Sequence, residues 1–323
     1  MGFSAEKEGQ EGLKNAILIA GPTASGKSAL AIEIARAVNG VVINADSMQV
    51  YDVLSLLTAR PDAADLEGAV HRLYGHVNPA DHYSTGHWLA DVAALAEQIG
   101  QDGQRPIFVG GTGLYFRALT EGLSPMPQVP AELRAHWRSR LQEEGPQALH
   151  RVLGECDPVG AASIRPSDGQ RIVRALEVFE ASGRPIGSWQ GETSRPLVDA
   201  KTVVSMVLAP DRAFLAERID MRFERMIGAG ALDEVRALRA LDIPPDRPVM
   251  KAIGVPELGD VLDGTLSLEE AMTRAKTATR RYAKRQMTWF RNQFGPEWHA
   301  MPIERGMSVR DIAGLGFGIL GLK

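Results

Sequence analysis

Gly21-Pro22-Thr23-Ala24-Ser25-Gly26-Lys27-Ser28 is the stretch on which the fold turns. It fits the phosphate-loop pattern G-x-x-x-x-G-K-[ST]. Before it runs Ala16-Ile17-Leu18-Ile19-Ala20, apolar throughout and of the length of a buried strand. After it, Leu30, Ile34 and Val38 recur at helical spacing until Asn39-Gly40 ends the pattern, and Val41-Val42-Ile43 opens a second strand. Strand, helix and strand within about 30 residues make a parallel βαβ unit. In that setting the glycines let consecutive backbone N–H groups turn inward around an anion. The helix N-terminus adds partial positive charge, Lys27 adds a full one, and Ser28 is placed to ligand Mg2+. A phosphate or diphosphate is expected on Gly21, Pro22, Thr23, Ala24, Ser25, Gly26, Lys27 and Ser28.

Farther along, residues 86–100 have a helical pattern and lead into a strand at Ile107-Phe108-Val109, closed by Gly110-Gly111-Thr112-Gly113. Three prolines within residues 124–130 mark a boundary. Residues 131–180 are helical in pattern and rich in Arg, a strand returns at 202–208, and the chain after Pro210 reads as helical to about residue 294. The expected fold is α/β: a P-loop NTPase-like parallel sheet flanked by helices, with a helical insertion domain and a helical C-terminal part. The expected boundaries are a flexible leader at 1–14, a discontinuous core at 15–123 and 201–300, an insertion at 124–200 and a tail at 301–323. That tail, with four glycines among apolar residues in 312–322, has no readable pattern.

Composition narrows the class. The 323 residues are 44% hydrophobic and 24% charged, which excludes wholesale disorder. No run reaches the ~18 apolar residues of a membrane helix. The single cysteine, Cys156, excludes a disulfide framework, and the polar N-terminal stretch has no apolar core of a secretory signal, so the cytoplasm is expected. His71, His76, His82 and His87 lack helical metal spacing and are read as structural. The net charge of −4 leaves nucleic acid open as a partner, because phosphate contact depends on local charge.

An NTPase needs a second strand-end Asp to order Mg2+ and water. The strand at 107–109 ends in Gly110-Gly111 instead, and the carboxylate at that sheet edge is Asp46, in Asn44-Ala45-Asp46-Ser47-Met48-Gln49. A lone Asp after a strand commonly caps a helix or closes a turn; beside a phosphate loop, a general base is the better reading. Thr112 is the next polar group expected in the site. Arg218 and Arg222, one helical turn apart, either reach the same anion or pair with Asp220 or Glu224. Residues 271–294 carry seven Lys or Arg and no acid, with Tyr282, Trp289 and Phe290 interleaved. A solvated helix face and an RNA-contacting face both fit that composition. Gln170, Arg171 and Arg174 share a helical face and form a second basic stretch.

The loop at 21–28, Asp46-Ser47-Met48-Gln49-Val50-Tyr51 and Gly110-Gly111-Thr112-Gly113-Leu114-Tyr115 together resemble the tRNA dimethylallyltransferase family. The likeness continues through Asp168-Gly169-Gln170-Arg171-Ile172-Val173-Arg174-Ala175-Leu176-Glu177 and Lys251-Ala252-Ile253-Gly254. It reaches Arg280-Arg281-Tyr282-Ala283-Lys284-Arg285-Gln286-Met287-Thr288-Trp289-Phe290-Arg291, so that it spans about residues 15–295. The resemblance implies transfer of a five-carbon allyl group from dimethylallyl diphosphate to N6 of adenosine 37 in tRNA. It implies catalytic roles for Asp46, Thr112, Lys27 and Arg222, with Arg222 favoured over Arg218 as a diphosphate ligand and Mg2+ at Ser28. It implies tRNA contacts at Asp46, Ser47, Met48, Gln49, Thr112, Arg134, Gln170, Arg171, Ile172, Val173, Arg174, Arg281 and Arg285. The expected partners are the anticodon stem-loop and the allylic diphosphate, with the protein a monomer. The chain departs from the family at Leu57-Thr58-Ala59-Arg60-Pro61, where Gly-Thr-Ala-Lys-Pro is usual, at Val53-Leu54-Ser55-Leu56 before it, and at Val255, where Tyr is usual. A small-molecule P-loop kinase, a free-adenylate dimethylallyltransferase and a noncatalytic RNA-binding ATPase are the competing readings.

Overall fold

Six strands, β1 (Ile17–Ala20), β2 (Gly40–Asn44), β3 (Val70–Arg72), β4 (Arg105–Gly110), β5 (Val204–Pro210) and β6 (Trp298–Ile303), form one parallel sheet in the computed structural model, which describes residues 12–189 and 193–322. Their order is β3-β2-β4-β1-β5-β6. Between β1 and β5 come α1 (Lys27–Val38), α2 (Ala63–Gly68), α3 (Thr85–Gln101), α4 (Gly113–Glu121), α5 (Ala131–Glu144), α6 (Pro146–Cys156), α7 (Pro158–Ser163), α8 (Gly169–Ser182) and α9 (Ile186–Trp189). After β5 come α10 (Arg212–Gly228), α11 (Ala231–Arg239), α12 (Val255–Leu262), α13 (Leu268–Gln293) and, beyond β6, α14 (Val309–Leu320).

Strand periodicity sorts the core into two layers. Leu18 and Ala20 face one side of the sheet with Trp88 of α3, Phe116 of α4 and Phe290 of α13. Ile17 and Ile19 face the other side with Leu30 and Ile34 of α1 and Ile312 of α14. Both faces are covered, as an all-parallel sheet requires. A further cluster joins α10 to α13 with the chain around Val50, Tyr51 and Leu54.

The chain divides into two compact units, Met1–Thr120 with Pro196–Lys323, and Glu121–Arg195. The second unit has helices and no strand among its described residues, and its own core of Trp137, Leu149, Leu153, Ile172, Val173 and Leu176. Residues 196–200, expected in the insertion, lie with the sheet unit: Leu197 N–H donates to the Leu119 carbonyl, and Leu13 bridges to Val198. Leu13 is therefore held by backbone pairing rather than free in a leader, while residues 1–11 lie outside the described residues. The tail is also structural. Residues 301–303 finish β6, and α14 packs on α1 with Gly316 so close that a Cβ there would meet Leu30 Cδ1 at 2.9 Å.

Candidate active site

The sheet brings three loops to one edge, because β1, β4 and β2 are neighbours and all parallel. Gly21 N–H donates to the Gly110 carbonyl at 3.2 Å, Ala45 N–H to Val109 at 2.8 Å, and Thr112 N–H to Ala45 at 3.2 Å. The loop after β1 turns through two left-handed residues, Ala24 (φ 65°) and Gly26 (φ 97°), into α1. No side chain caps that helix, so its first N–H groups remain for an anion.

Cations close over the loop. Lys27 Nζ lies 3.4 Å from the Pro22 carbonyl, and Arg222 donates to Thr23 Oγ1. Arg218 Nε donates to the Ala24 carbonyl at 2.8 Å. Both arginines thus reach the loop, and the acids beside them are engaged elsewhere: Asp220 pairs with Arg280 and Glu224 with Lys276. Burial, with Arg222 nearby, pushes the Lys27 ammonium down to about 8 despite the opposing charge of Asp46. Burial, with Arg218 nearby, pushes Arg222 down to about 10, and Arg218 is lowered as well. Crowded cations lose protons more readily, and an arriving polyanion reverses that.

Asp46 is held from both sides. Its N–H donates to Asn44 Oδ1, and its Oδ1 accepts from Met48 N–H at 3.0 Å, an Asx turn. Its Oδ2 lies toward Gly111, whose Cβ position would be 3.4 Å away. Thr112 Oγ1 accepts from Ser47 N–H at 2.9 Å and donates to Ser47 Oγ, tying the Gly-rich turn to the Asp46 turn. The carboxylate after β5, Asp211, caps α10 through Ala213 and Phe214 N–H, whereas the charge of Asp46 acts on Lys27 of the loop.

Gln49 Nε2 is engaged by the Thr58 and Ala59 carbonyls, and Met48 is partly buried against the α10–α13 cluster. In the segment at 53–61, where the chain departs from the pattern it resembles, Arg60 donates to the Tyr51 carbonyl, and Glu234 accepts from the N–H groups of Ser55, Leu56 and Leu57. Arg60 therefore braces its own loop.

Arg281, Lys284 and Arg285 are exposed on α13 and line a depression of about 520 Å3 with Thr288, Trp289 and Asn292. Of the expected stacking aromatics, one is turned wholly inward and another only in part. Phe290 is buried beneath the sheet, and Trp289 is partly buried against the same cluster, its ring meeting the Cβ position of Gly113 at 2.1 Å. In the helical unit Arg171 is exposed beside Asp168, and Arg174 pairs with Glu177. Ile172 and Val173, expected at the tRNA surface, are instead buried in that unit's core, so their side chains do not reach RNA. Arg134 is half-buried on α5.

One residue built into the site has no individual signal in the sequence. Gln286, buried on α13, accepts from Thr23 N–H at 3.0 Å and donates to the Gly111 carbonyl at 3.0 Å. Those partners lie 263 and 175 residues away along the chain, a separation that local patterns do not read.

Ser28 is exposed in the first turn of α1, and no cluster of three or more His, Cys, Asp or Glu suited to a metal occurs among the described residues. A hydroxyl with phosphate oxygens suits Mg2+, which keeps several waters and takes few protein ligands.

The parallel sheet and cationic cradle define a phosphate-loop α/β protein in which a carboxylate two strands away, rather than an adjacent metal-ordering acid, completes the site. The family model described as IPP transferase matches residues 49–293, and one described as isopentenyl transferase matches 14–79. A tRNA dimethylallyltransferase of Chelativorans sp. is 62% identical over 291 residues, covering 90% of this chain and all of that one. Another, from Mesorhizobium japonicum, is 56% identical and covers 92% of each chain. Among solved structures, the tRNA isopentenylpyrophosphate transferase of Bacillus halodurans aligns with TM-score 0.67 at 32% identity, over 95% of this chain and 97% of that one. A eukaryotic dimethylallyltransferase acting on tRNA aligns with TM-score 0.77 at 28% identity, over 96% and 80%. The chain belongs to the IPP transferase family.

Proposed function

We propose that this protein transfers the dimethylallyl group of dimethylallyl diphosphate to the exocyclic N6 of adenosine 37 in the tRNA anticodon loop, working as a cytoplasmic monomer. The observation that carries the reading is Asp46, held at the end of β2 beside a loop crowded with Lys27, Arg218 and Arg222. The loop takes the diphosphate. As the allylic C1–O bond breaks, its electron pair leaves with the diphosphate, whose growing charge is stabilised by Lys27, Arg222 and the uncapped N–H groups of α1. The N6 lone pair forms the new C–N bond, and Asp46 accepts the proton that N6 gives up. Thr112 keeps the Asp46 turn in place through Ser47.

Ser28, in the first turn of α1, would help hold Mg2+, which would supply further charge neutralisation to the leaving diphosphate. Adenosine 37 is stacked in its loop, so N6 reaches Asp46 when the base is extruded, at a cost of a few kcal/mol offset by contacts to the RNA around it. Arg281 and Arg285 of α13, with Gln170, Arg171 and Arg174 of the helical unit and Arg134, supply those contacts. The test offers labelled dimethylallyl diphosphate with an anticodon stem-loop bearing adenosine 37, against AMP and ATP as acceptors. Label in the RNA alone supports the reading; label in the free nucleotides, or steady ATP hydrolysis near ~1 s−1, refutes it.

A further inference from the structure

We infer that Gln286 is a positioning residue for the transfer step, its carboxamide setting the distance between the donor loop and the Asp46 turn; this rests on the function proposed above. Gln286 is buried, and both ends of its amide bond main chain: Oε1 accepts from Thr23 N–H in the donor loop, and Nε2 donates to the Gly111 carbonyl. Each bond is 3.0 Å long. The Thr23 N–H is thereby withdrawn from the set that cradles phosphate, so the amide acts on the loop's position rather than as one more ligand.

The glycines of the turn after β4 are explained by the same packing. A Cβ on Gly110 would sit 2.0 Å from the Ala45 carbonyl oxygen, on Gly111 2.1 Å from Gln286 Nε2, and on Gly113 2.1 Å from the Trp289 ring. Gln286 and Trp289, three residues apart, present one face of α13 to this turn. Asp46 is the immediate neighbour, its Oδ2 within 3.4 Å of the Gly111 Cβ position. The donor loop and the Gly-rich turn, with Asp46 beside that turn, are thus tied together by one buried side chain. It rises from the helix whose exposed side carries Arg281 and Arg285. Binding energy collected on that outer face is coupled to the alignment of donor carbon and acceptor base.

Gln286→Met keeps the side chain's length and removes both bonds; Gln286→Asn keeps both groups but is one methylene too short to span. For each variant three quantities are measured: the single-turnover transfer rate, the Kd of inorganic diphosphate with Mg2+, and the Kd of the anticodon stem-loop. Thermal melts establish that each variant is folded. The transfer rate is expected to fall by ~10²-fold in both, the cost of about 1 Å of misplacement, with either Kd changed by less than about threefold. A near-normal rate in folded Gln286→Met, or a loss lying wholly in either Kd, overturns the proposal. If neither variant folds, Gln286 is a packing residue and the proposal falls. Wild-type protein run alongside separates the two claims: no transfer there removes the proposed function, whereas active wild type with unaffected variants removes only the strut.

Discussion

Donor binding should be linked to a proton at Lys27. In the free protein its ammonium is lowered to about 8 by burial and by Arg222. A diphosphate seated in the loop adds negative charge beside it and drives that value back up. Below pH 8 the free protein already holds the proton, and binding is independent of pH. Above pH 8 the proton must be taken up on binding, so affinity falls as pH rises. The ratio of (1 + 10^(pH − 8)) between pH 9 and pH 7 is about tenfold in Kd, or about 1.4 kcal/mol, with ~0.9 proton taken up at pH 9 and ~0.1 at pH 7. Arg222, lowered to about 10, stays largely charged over this range and adds little. The donor's terminal phosphate, with a pKa near ~6, is ionised throughout. Calorimetry with a nonreactive dimethylallyl diphosphate analogue, in buffers of different ionisation enthalpy, gives Kd and proton uptake together. Lys27→Arg should bind with little pH dependence, since a guanidinium keeps its charge. A wild-type Kd that is flat from pH 7 to 9, with no proton taken up at pH 9, refutes this account of the cradle.

Three further outcomes follow from the same geometry. Asp46→Asn keeps the turn to Met48 N–H but cannot accept the N6 proton, so single-turnover transfer should fall by ~10²–10⁴ while filter binding finds tRNA affinity little changed. Gly113→Ala places a methyl 2.1 Å from the Trp289 ring, and a melt should find it destabilised by about 1–3 kcal/mol, the usual cost of overpacking. Neutralising Arg171 and Arg174 together should weaken tRNA binding and flatten log K against log salt by roughly 1.4–1.8, at ~0.7–0.9 per phosphate contact, with diphosphate affinity unchanged.

Much of this site was legible because it depends on local pattern. The apolar runs around Ile17, Val41, Phe108 and Val204 became β1, β2, β4 and β5, and glycine spacing located the anion loop. What escaped depends on tertiary context. β3 is three residues with an exposed Val70, and β6 carries Pro302, so neither has the apolar run of a buried strand. α14 is a helix despite its internal glycines because Gly316 allows close approach to Leu30, a reward that helix propensity does not register. Ile172, Val173 and Leu176 form the apolar stripe of α8, a helical phase that a segment-long resemblance hides. The burial of Phe290 follows from the same phase on α13, where Gln286 and Phe290 lie one turn apart and both are buried. Gln286 and Glu234 show their value only once distant main-chain groups are brought to them.

The strand order also bears on why a phosphate loop serves alkyl transfer here. A kinase works on phosphorus and needs its acid beside the anion; in the proposed reaction the anion is the leaving group and the reacting atom is a carbon beyond it. The base must then stand off from the phosphates by the length of the allyl unit. β4 lies between β1, which carries the loop, and β2, which carries Asp46. At about 4.8 Å between neighbouring strands, the strands that carry loop and base are ~10 Å apart, and the Asp46 carboxylate reaches back only as far as the turn after β4, which leaves room for a short carbon chain. The intervening strand ends in Gly110 and is followed by Gly111, neither of which puts a side chain into the gap, and Gln286 crosses from Gly111 to Thr23 at its boundary. Moving the carboxylate to β4 would bring it one strand nearer the anion and fill the space the carbon needs.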